Sequence, residues 1–336
     1  WNPWNAFGTR INETVAREIA DSMESKGLLK AGYNYFNIDG GGKYPSGYRA
    51  LADYVHAKGF KFGLYGNHQH HYDIIGKEDS TARAWAACSV DFVKYDAFTY
   101  PLSHPTWKRF GKALATRSTR PVVYSIHYNE ERVDTSLPGF AHMWRTGPDI
   151  ILRIGREKPS FRKAMRNAIL NEKFAALAGP GAWSDPDLLM IGLPNGLTPD
   201  EERTHLGLWA IAAAPLLISC DLRTIGDSSL AILLNQEVIA VDQDSLGYQG
   251  RLFPHSGNRD VTLWVKEMND GGRAILFVNA GNVPREATIT WTEIGIAQPA
   301  RVRDLWTHRE LTPPSDTIAA TLPPRGSLML RAWTKP

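Results

Sequence analysis

The sequence predicts an α/β fold: a (β/α)8 barrel over residues 1–248, then a smaller antiparallel β-sandwich domain over 249–336. Three observations predict it. Short apolar runs alternate with longer amphipathic segments up to about residue 247. The runs are apolar almost throughout, as strands buried on both faces of a parallel sheet are. After Gly250 the helical rhythm stops, and short β-rich runs separated by turn residues take over.

In chain order the first part offers eight candidate strands: WNPWNAF, YNYFNID (33–39), KFGLYG (61–66), DFVKYD (91–96), PVVYSI (121–126), HMWR (142–145), GAWSD (181–185) and LLISCD (216–221). Eight is the number such a barrel needs. Helical patterns such as ETVAREIADSMESKG and HPTWKRFGKALATR lie between several of them. Thr198-Pro199-Asp200-Glu201 combines a capping box with proline at the first helical position, and opens a helix through HLGLWAIAAA. An open doubly wound sheet fits less well. No glycine-rich phosphate turn follows the first strand, and polar residues end nearly every run, where a barrel would gather them around one site. The tail contains VTLWVKEM, RAILFVNA, REATITW, ARVRDLW, TIAATL and SLMLRAW, divided by turns such as Asn269-Asp270-Gly271-Gly272.

Composition narrows the class of partner. With 38 basic and 35 acidic residues in 336, the net charge of +3 is too balanced for a nucleic-acid surface. No apolar run approaches the roughly 20 residues that cross a bilayer. The 2 cysteines, Cys88 and Cys220, read as buried thiols, and 11 Trp with 12 Tyr supply flat apolar faces suited to sugars or to a core.

Charges cluster at the ends of the predicted strands. In FVKYDAF, Lys94 and Asp96 share one strand face while Val93 and Tyr95 take the other. A nearby ammonium favours an ionised carboxylate, which suits a nucleophile; a structural ion pair fits the pattern equally well. In HMWRTGPDI, Gly147 and Pro148 exclude a continuing helix and place Asp149 in a βα loop, as an acid/base group or as a helix cap ahead of Ile150. Asp187, in WSDPDLLMIG, and Asp39 close two further runs. His68, His70 and His71 in NHQHHYD suggest a metal-dependent hydrolase, but no second half at ligand spacing accompanies them, so no metal and no cofactor is expected. Two carboxylates about 5–5.5 Å apart suffice for a retaining glycosidase without a metal.

Taken together, WNPWNAFGTRINE, YFNIDGG, FGLYG, FVKYDAF, VVYSI, WRTGPDI, GPGAWSDPDLLMIG, LWAIAAAPLLISCDLRTI and DQDSLGYQG resemble glycoside hydrolase family 27, the α-galactosidase and α-N-acetylgalactosaminidase family. The resemblance runs from Trp1 to about Gln249, and the β-rich tail fits that family's second domain. It implies a retaining, exo-acting hydrolase of terminal α-linked sugars, with Asp96 as nucleophile and Asp149 as general acid/base. It also implies substrate contacts from Trp4, Asp39, Tyr65, Lys94, Arg145 and Asp187. Lys94 is then expected to keep Asp96 charged. Asp149, covered by substrate, is expected to hold its proton, with Arg145 turned to sugar or to Asp187.

The chain also departs from the family pattern. Asp39-Gly40 stands where α-galactosidases carry two adjacent acidic residues that clamp the 4- and 6-hydroxyls; losing half of that pair weakens the galactose assignment, since a buried hydroxyl without its partner costs roughly 1–3 kcal/mol. Gly40-Gly41-Gly42 is expected to leave open space near O6, so an α-1,6-glucan or β-L-arabinopyranoside substrate is an alternative. His127 lies in the loop where galactose and N-acetylgalactosamine enzymes differ, and Phe98 replaces the usual cysteine after the nucleophile, with NHQHHYD shortening its partner loop. A non-catalytic carbohydrate-binding barrel is the remaining alternative. The expected partner is an oligo- or polysaccharide, with no nucleic acid and no membrane. The expected setting is secreted or periplasmic, any leader ahead of Trp1 having been removed or never present.

Overall fold

A computed structural model describes residues 1–67, 74–96, 104–128, 132–152, 154–254, 258–297, 299–312 and 316–334. Six parallel strands curl side by side in chain order: β1 (Tyr35–Asn37), β2 (Lys61–Asn67), β3 (Phe92–Asp96), β4 (Val123–Ile126), β5 (Met143–Arg145) and β6 (Trp183–Asp185). The two remaining runs expected as strands close the ring through single backbone bonds. Leu189 N–H donates to Leu217 O (2.9 Å), Asn2 N–H to Ile218 O (2.9 Å), and Asn37 N–H to Trp1 O (2.9 Å). WNPWNAF and LLISCD are thus not full strands. Pro3 and Pro215 each lack an N–H for a ladder, and Trp4–Phe7 coils into a one-turn helix, α1.

Helices α2 (Glu13–Ser25), α3 (Gly47–Ala57), α4 (Glu78–Ala87), α5 (His104–Arg117) and α6 (Phe161–Glu172) cover the outside of the sheet. In α2 the Asn12 side chain accepts from Val15 N–H, and Ala16, Ile19, Ala20 and Met23 form its buried stripe. The predicted capping box at Thr198 and Glu201 is present and opens α7 (Pro199–Ile211). This helix is buried on nearly every side because it lies between the barrel and the second domain, which is why HLGLWAIAAA is apolar all round. Short helices α8 (Asp227–Leu233) and α9 (Gln236–Asp242) follow.

The tail is antiparallel. Strands β7 (Arg251–Phe253), β8 (Val261–Glu267), β9 (Arg273–Asn279), β11 (Pro299–Asp304), β12 (Arg309–Leu311) and β14 (Ser327–Thr334) form one sheet in the order β12-β11-β14-β9-β8-β7. Strands β10 (Arg285–Thr290) and β13 (Thr317–Leu322) form a separate ribbon. Alternation splits the large sheet between two cores. Trp264, Leu276 and Met329 pack into the barrel core, whereas Leu263, Ile275, Phe277 and Leu330 pack with Ile289, Trp291 and Ile318. A sheet that is apolar on both faces fixes the β domain against α7. Gly250 N–H to Ile211 O (2.8 Å) and Arg325 to Glu201 (2.8 Å) add polar ties.

The same alternation accounts for the charges inside FVKYDAF. Val93 and Tyr95 face outward, where Tyr95 meets Phe110 edge-on, while Lys94 and Asp96 face the barrel axis. Register then sets neighbours: Tyr65 lies beside Lys94, Asn67 beside Asp96, Lys94 beside Ser125, and Arg145 beside Asp185. At Gly63 an added Cβ would stand 1.9 Å from Asn37 Oδ1, so only glycine lets β1 and β2 pair at that level.

Candidate active site

The carboxyl ends of β1 to β6 carry one connected set of polar side chains. Asp96, the last residue of β3, is buried, and its Oδ1 pairs with His127 Nδ1 at the end of β4. Burial alone would raise the Asp96 pKa. The pairing with His127 and the charges of Lys94 and Arg145 outweigh it and hold the carboxyl far below the usual carboxylate range.

Lys94 helps keep Asp96 charged, as expected, but from a distance. Its Nζ donates to Asp39 Oδ2 at 2.7 Å and stays 3.9 Å from Asp96 Oδ2. The first partner of Asp96 is His127. Asn2 Nδ2 also donates to Asp39 Oδ2 (2.8 Å), so Asp39 is held from both sides. Tyr65 completes this half of the site, with its ring centroid 5.4 Å from Lys94 Nζ and its hydroxyl accepting from Asn67 Nδ2 at 3.2 Å.

The other half centres on Arg145, the last residue of β5. Its Nη2 lies 2.8 Å from Asp149 Oδ1 and 2.8 Å from Asp187 Oδ2. The expectation that Arg145 would avoid Asp149 is therefore corrected: four residues of loop through Gly147 and Pro148 fold Asp149 back onto it. Asp149 sits in that βα loop, and the next helix starts only at Phe161, so it caps no helix. Its side chain remains 29% exposed, unlike buried Asp96.

Asp187 is buried with φ +91°, a strained value for a non-glycine residue. Ile150 N–H donates to its Oδ2 at 2.7 Å, and its own N–H donates to Asp185 Oδ1 at 2.8 Å. Burial raises its pKa to about 6 against the opposing pull of Arg145, with Asp149 and Asp185 adding to the rise. The two halves meet electrostatically, since Arg145 acts on Asp96, and Lys94 acts on Asp185.

Trp4 and Gly40 touch. Gly40 has φ +76°, and an added Cβ would stand 2.7 Å from Trp4 Cζ3. The expectation of open space beside Gly40 is thus corrected, because the one-turn helix at Trp4–Phe7 lays the indole across it. At Gly42 the space is filled by the Tyr44 ring and Ile11 O. Asn2 and Asp185 are site residues that the sequence analysis passed over. Asp185 ends an apolar run as Asp39 and Asp96 do, and that was the available signal.

His68, His70, His71 and Phe98 lie outside the described residues. Among the described residues no group of His, Cys, Asp and Glu could hold a metal ion. A cavity of about 480 Å³ opens at the opposite end of the barrel, among the strand starts at Tyr35, Phe92, Val123, Met143 and Trp183. None of the paired carboxylates lines it, so the converging side chains at the strand ends, rather than cavity size, locate the site.

Comparison with known proteins places the chain in a family. Residues 40–244 match the family described as alpha galactosidase A, and residues 258–332 match the alpha galactosidase C-terminal beta sandwich domain. The chain is 36% identical to an alpha-galactosidase of Cyamopsis tetragonoloba over 96% of this chain and 82% of that protein. It is 33% identical to alpha-galactosidase 2 of Arabidopsis thaliana over 98% of this chain and 87% of that protein. The crystal structure of alpha-galactosidase I from Mortierella vinacea superposes with a TM-score of 0.89 at 27% identity, covering 100% of this chain and 96% of that one. The protein belongs to the α-galactosidase family, glycoside hydrolase family 27, and is a glycoside hydrolase.

Proposed function

We propose that the protein is a retaining, exo-acting α-galactosidase that works by double displacement, with Asp96 as nucleophile and Asp149 as general acid/base. One observation carries this reading. Of two carboxyl groups at the same end of the barrel, Asp96 at the end of β3 and Asp149 in the loop after β5, the first is buried and electrostatically held as the anion and the second is partly exposed. That is the division of labour a retaining glycosidase needs.

In the first step an Asp96 oxygen attacks the anomeric carbon. The bond to the leaving oxygen breaks, its electron pair stays on that oxygen, and Asp149 supplies the proton. In the second step water gives a proton to Asp149 and attacks the same carbon, and the bond to Asp96 returns its pair to the carboxylate. Inversion twice gives retention. Asp39, Lys94, Tyr65, Arg145, Asp187 and Trp4 lie around the same strand ends and are suited to hold hydroxyls and a ring face. No step calls for a metal.

Relatives named alpha-galactosidase at 33–36% identity over nearly the whole chain support galactose over the alternatives. The filled space at Gly40 also removes the feature that favoured α-1,6-glucan. A secreted or periplasmic setting fits an oligo- or polysaccharide substrate and is part of this proposal.

Turnover of melibiose and an aryl α-galactoside, compared with dextran and an aryl β-L-arabinopyranoside, tests the reading. Asp96→Asn and Asp149→Asn should each lower turnover of the galactosides about 1,000-fold or more while melting like the parent. Near-parental turnover in either variant, or preference for dextran, would sink it.

A further inference from the structure

A carboxylate nucleophile has two oxygens, and in this site they are not equivalent. Asp96 Oδ1 is bound by His127 Nδ1, Lys94 Nζ stands 3.9 Å from Oδ2, beyond hydrogen-bond distance, and the Tyr65 hydroxyl also hydrogen-bonds the Asp96 carboxyl. His127 itself is buried, and its Nε2 has no hydrogen-bond partner among the described residues. An imidazole with its proton on Nδ1 satisfies this arrangement. It donates to Oδ1 and leaves Nε2 as an acceptor for a substrate hydroxyl.

We infer that His127 is a positioning residue that selects Oδ2 as the attacking atom and, by holding Oδ1, assists release of the sugar from Asp96 in the second half of the reaction. The inference rests on the double-displacement reading above. When Oδ2 forms its bond to the anomeric carbon, Oδ1 becomes the carbonyl oxygen of the resulting ester. The hydrogen bond from Nδ1 to Oδ1 survives that change. It weakens Asp96 slightly as an attacking anion, because it stabilises the charge that attack consumes. In the second half it acts the other way: as water attacks and the carbon–Oδ2 bond breaks, charge returns to the carboxylate and the same hydrogen bond strengthens with it. His127 thus trades a little of the first step for the second. A residue that merely filled space beside Asp96 would affect both steps alike.

The test is rapid-quench mass spectrometry and steady-state kinetics of His127→Ala and His127→Asn with an aryl α-galactoside whose phenol leaves readily. Asn presents an N–H close to the position of Nδ1. For His127→Ala, kcat is expected to fall about 10- to 100-fold and KM to fall with it, while an early burst of phenol appears and protein bearing one hexosyl group accumulates. His127→Asn should restore most of kcat and abolish the accumulation. A fall in kcat with KM unchanged, no burst and no labelled protein in His127→Ala would overturn the inference, and so would accumulation in His127→Asn equal to that in His127→Ala. Failure of the parent enzyme to release phenol from the galactoside would instead overturn the reading of the function.

Discussion

Arg145 Nη2 reaches Asp149 Oδ1 and Asp187 Oδ2 at the same distance, 2.8 Å, so one guanidinium fixes the candidate acid/base and the buried carboxylate beside it. The rigid, planar guanidinium fixes the direction of both bonds, whereas an ammonium on a flexible stem leaves the direction of its three N–H donors free.

Arg145→Lys is therefore expected to be far from conservative. It should lower kcat/KM for an aryl α-galactoside about 100-fold, because Asp149 loses its fixed position. Arg145→Met leaves buried Asp187 without its cation and should cost about 3–5 kcal/mol of stability, read by urea denaturation. Parental kinetics in Arg145→Lys would show that Asp149 is positioned by something else.

At Gly40 the backbone itself decides the residue. With φ +76° and Trp4 Cζ3 2.7 Å from an added Cβ, Gly40→Ala should destabilise the fold by about 1–3 kcal/mol and displace the indole. Gly40→Asp should lower turnover of galactosides and not improve it, since the new carboxyl cannot enter space that Trp4 holds. Kinetics on melibiose together with a thermal melt check both. A gain in activity from Gly40→Asp would mean that Trp4 moves aside.

Asp187 predicts a pH dependence of stability. Its pKa is raised in the folded state to about 6, against an ordinary value of 3.8, so between those values the folded chain binds the extra proton. Its contribution is fully present below the lower value and is lost as pH rises through the higher one. Asp187→Asn removes this loss, so from about pH 4 to pH 7 the stability difference should move in favour of the variant by about 2–3 kcal/mol. Urea midpoints across that range measure it; a difference independent of pH would contradict the raised pKa.

Much of the fold was legible because burial on two faces leaves apolar runs, and all eight runs of the barrel recur in the ring. What escaped depends on contacts between distant segments. Pro3 and Pro215 reduce two runs to single backbone bonds, which periodicity does not register. β7 and β12 are three residues each, too short for alternation to show.

In the site, Asp96 and Asp149 were visible as carboxyls at run ends beside glycine, proline or lysine. The partners were not. Sequence adjacency suggested Lys94 for Asp96, and its charge does act there, but its hydrogen bond goes across the sheet to Asp39, and the closest partner of Asp96, His127, is 31 residues away after the next strand. The open space inferred from three glycines ignored the helical turn at Trp4, which only the folded chain reveals.

The most direct measurement is proton NMR of the first sugar released from an aryl α-galactoside, taken before mutarotation. Attack by Asp96 followed by attack of water from the opposite side predicts that the α-anomer of galactose appears first and the β-anomer grows in later. If the β-anomer appears first, water displaces the leaving group directly, and the role given to Asp96 is wrong.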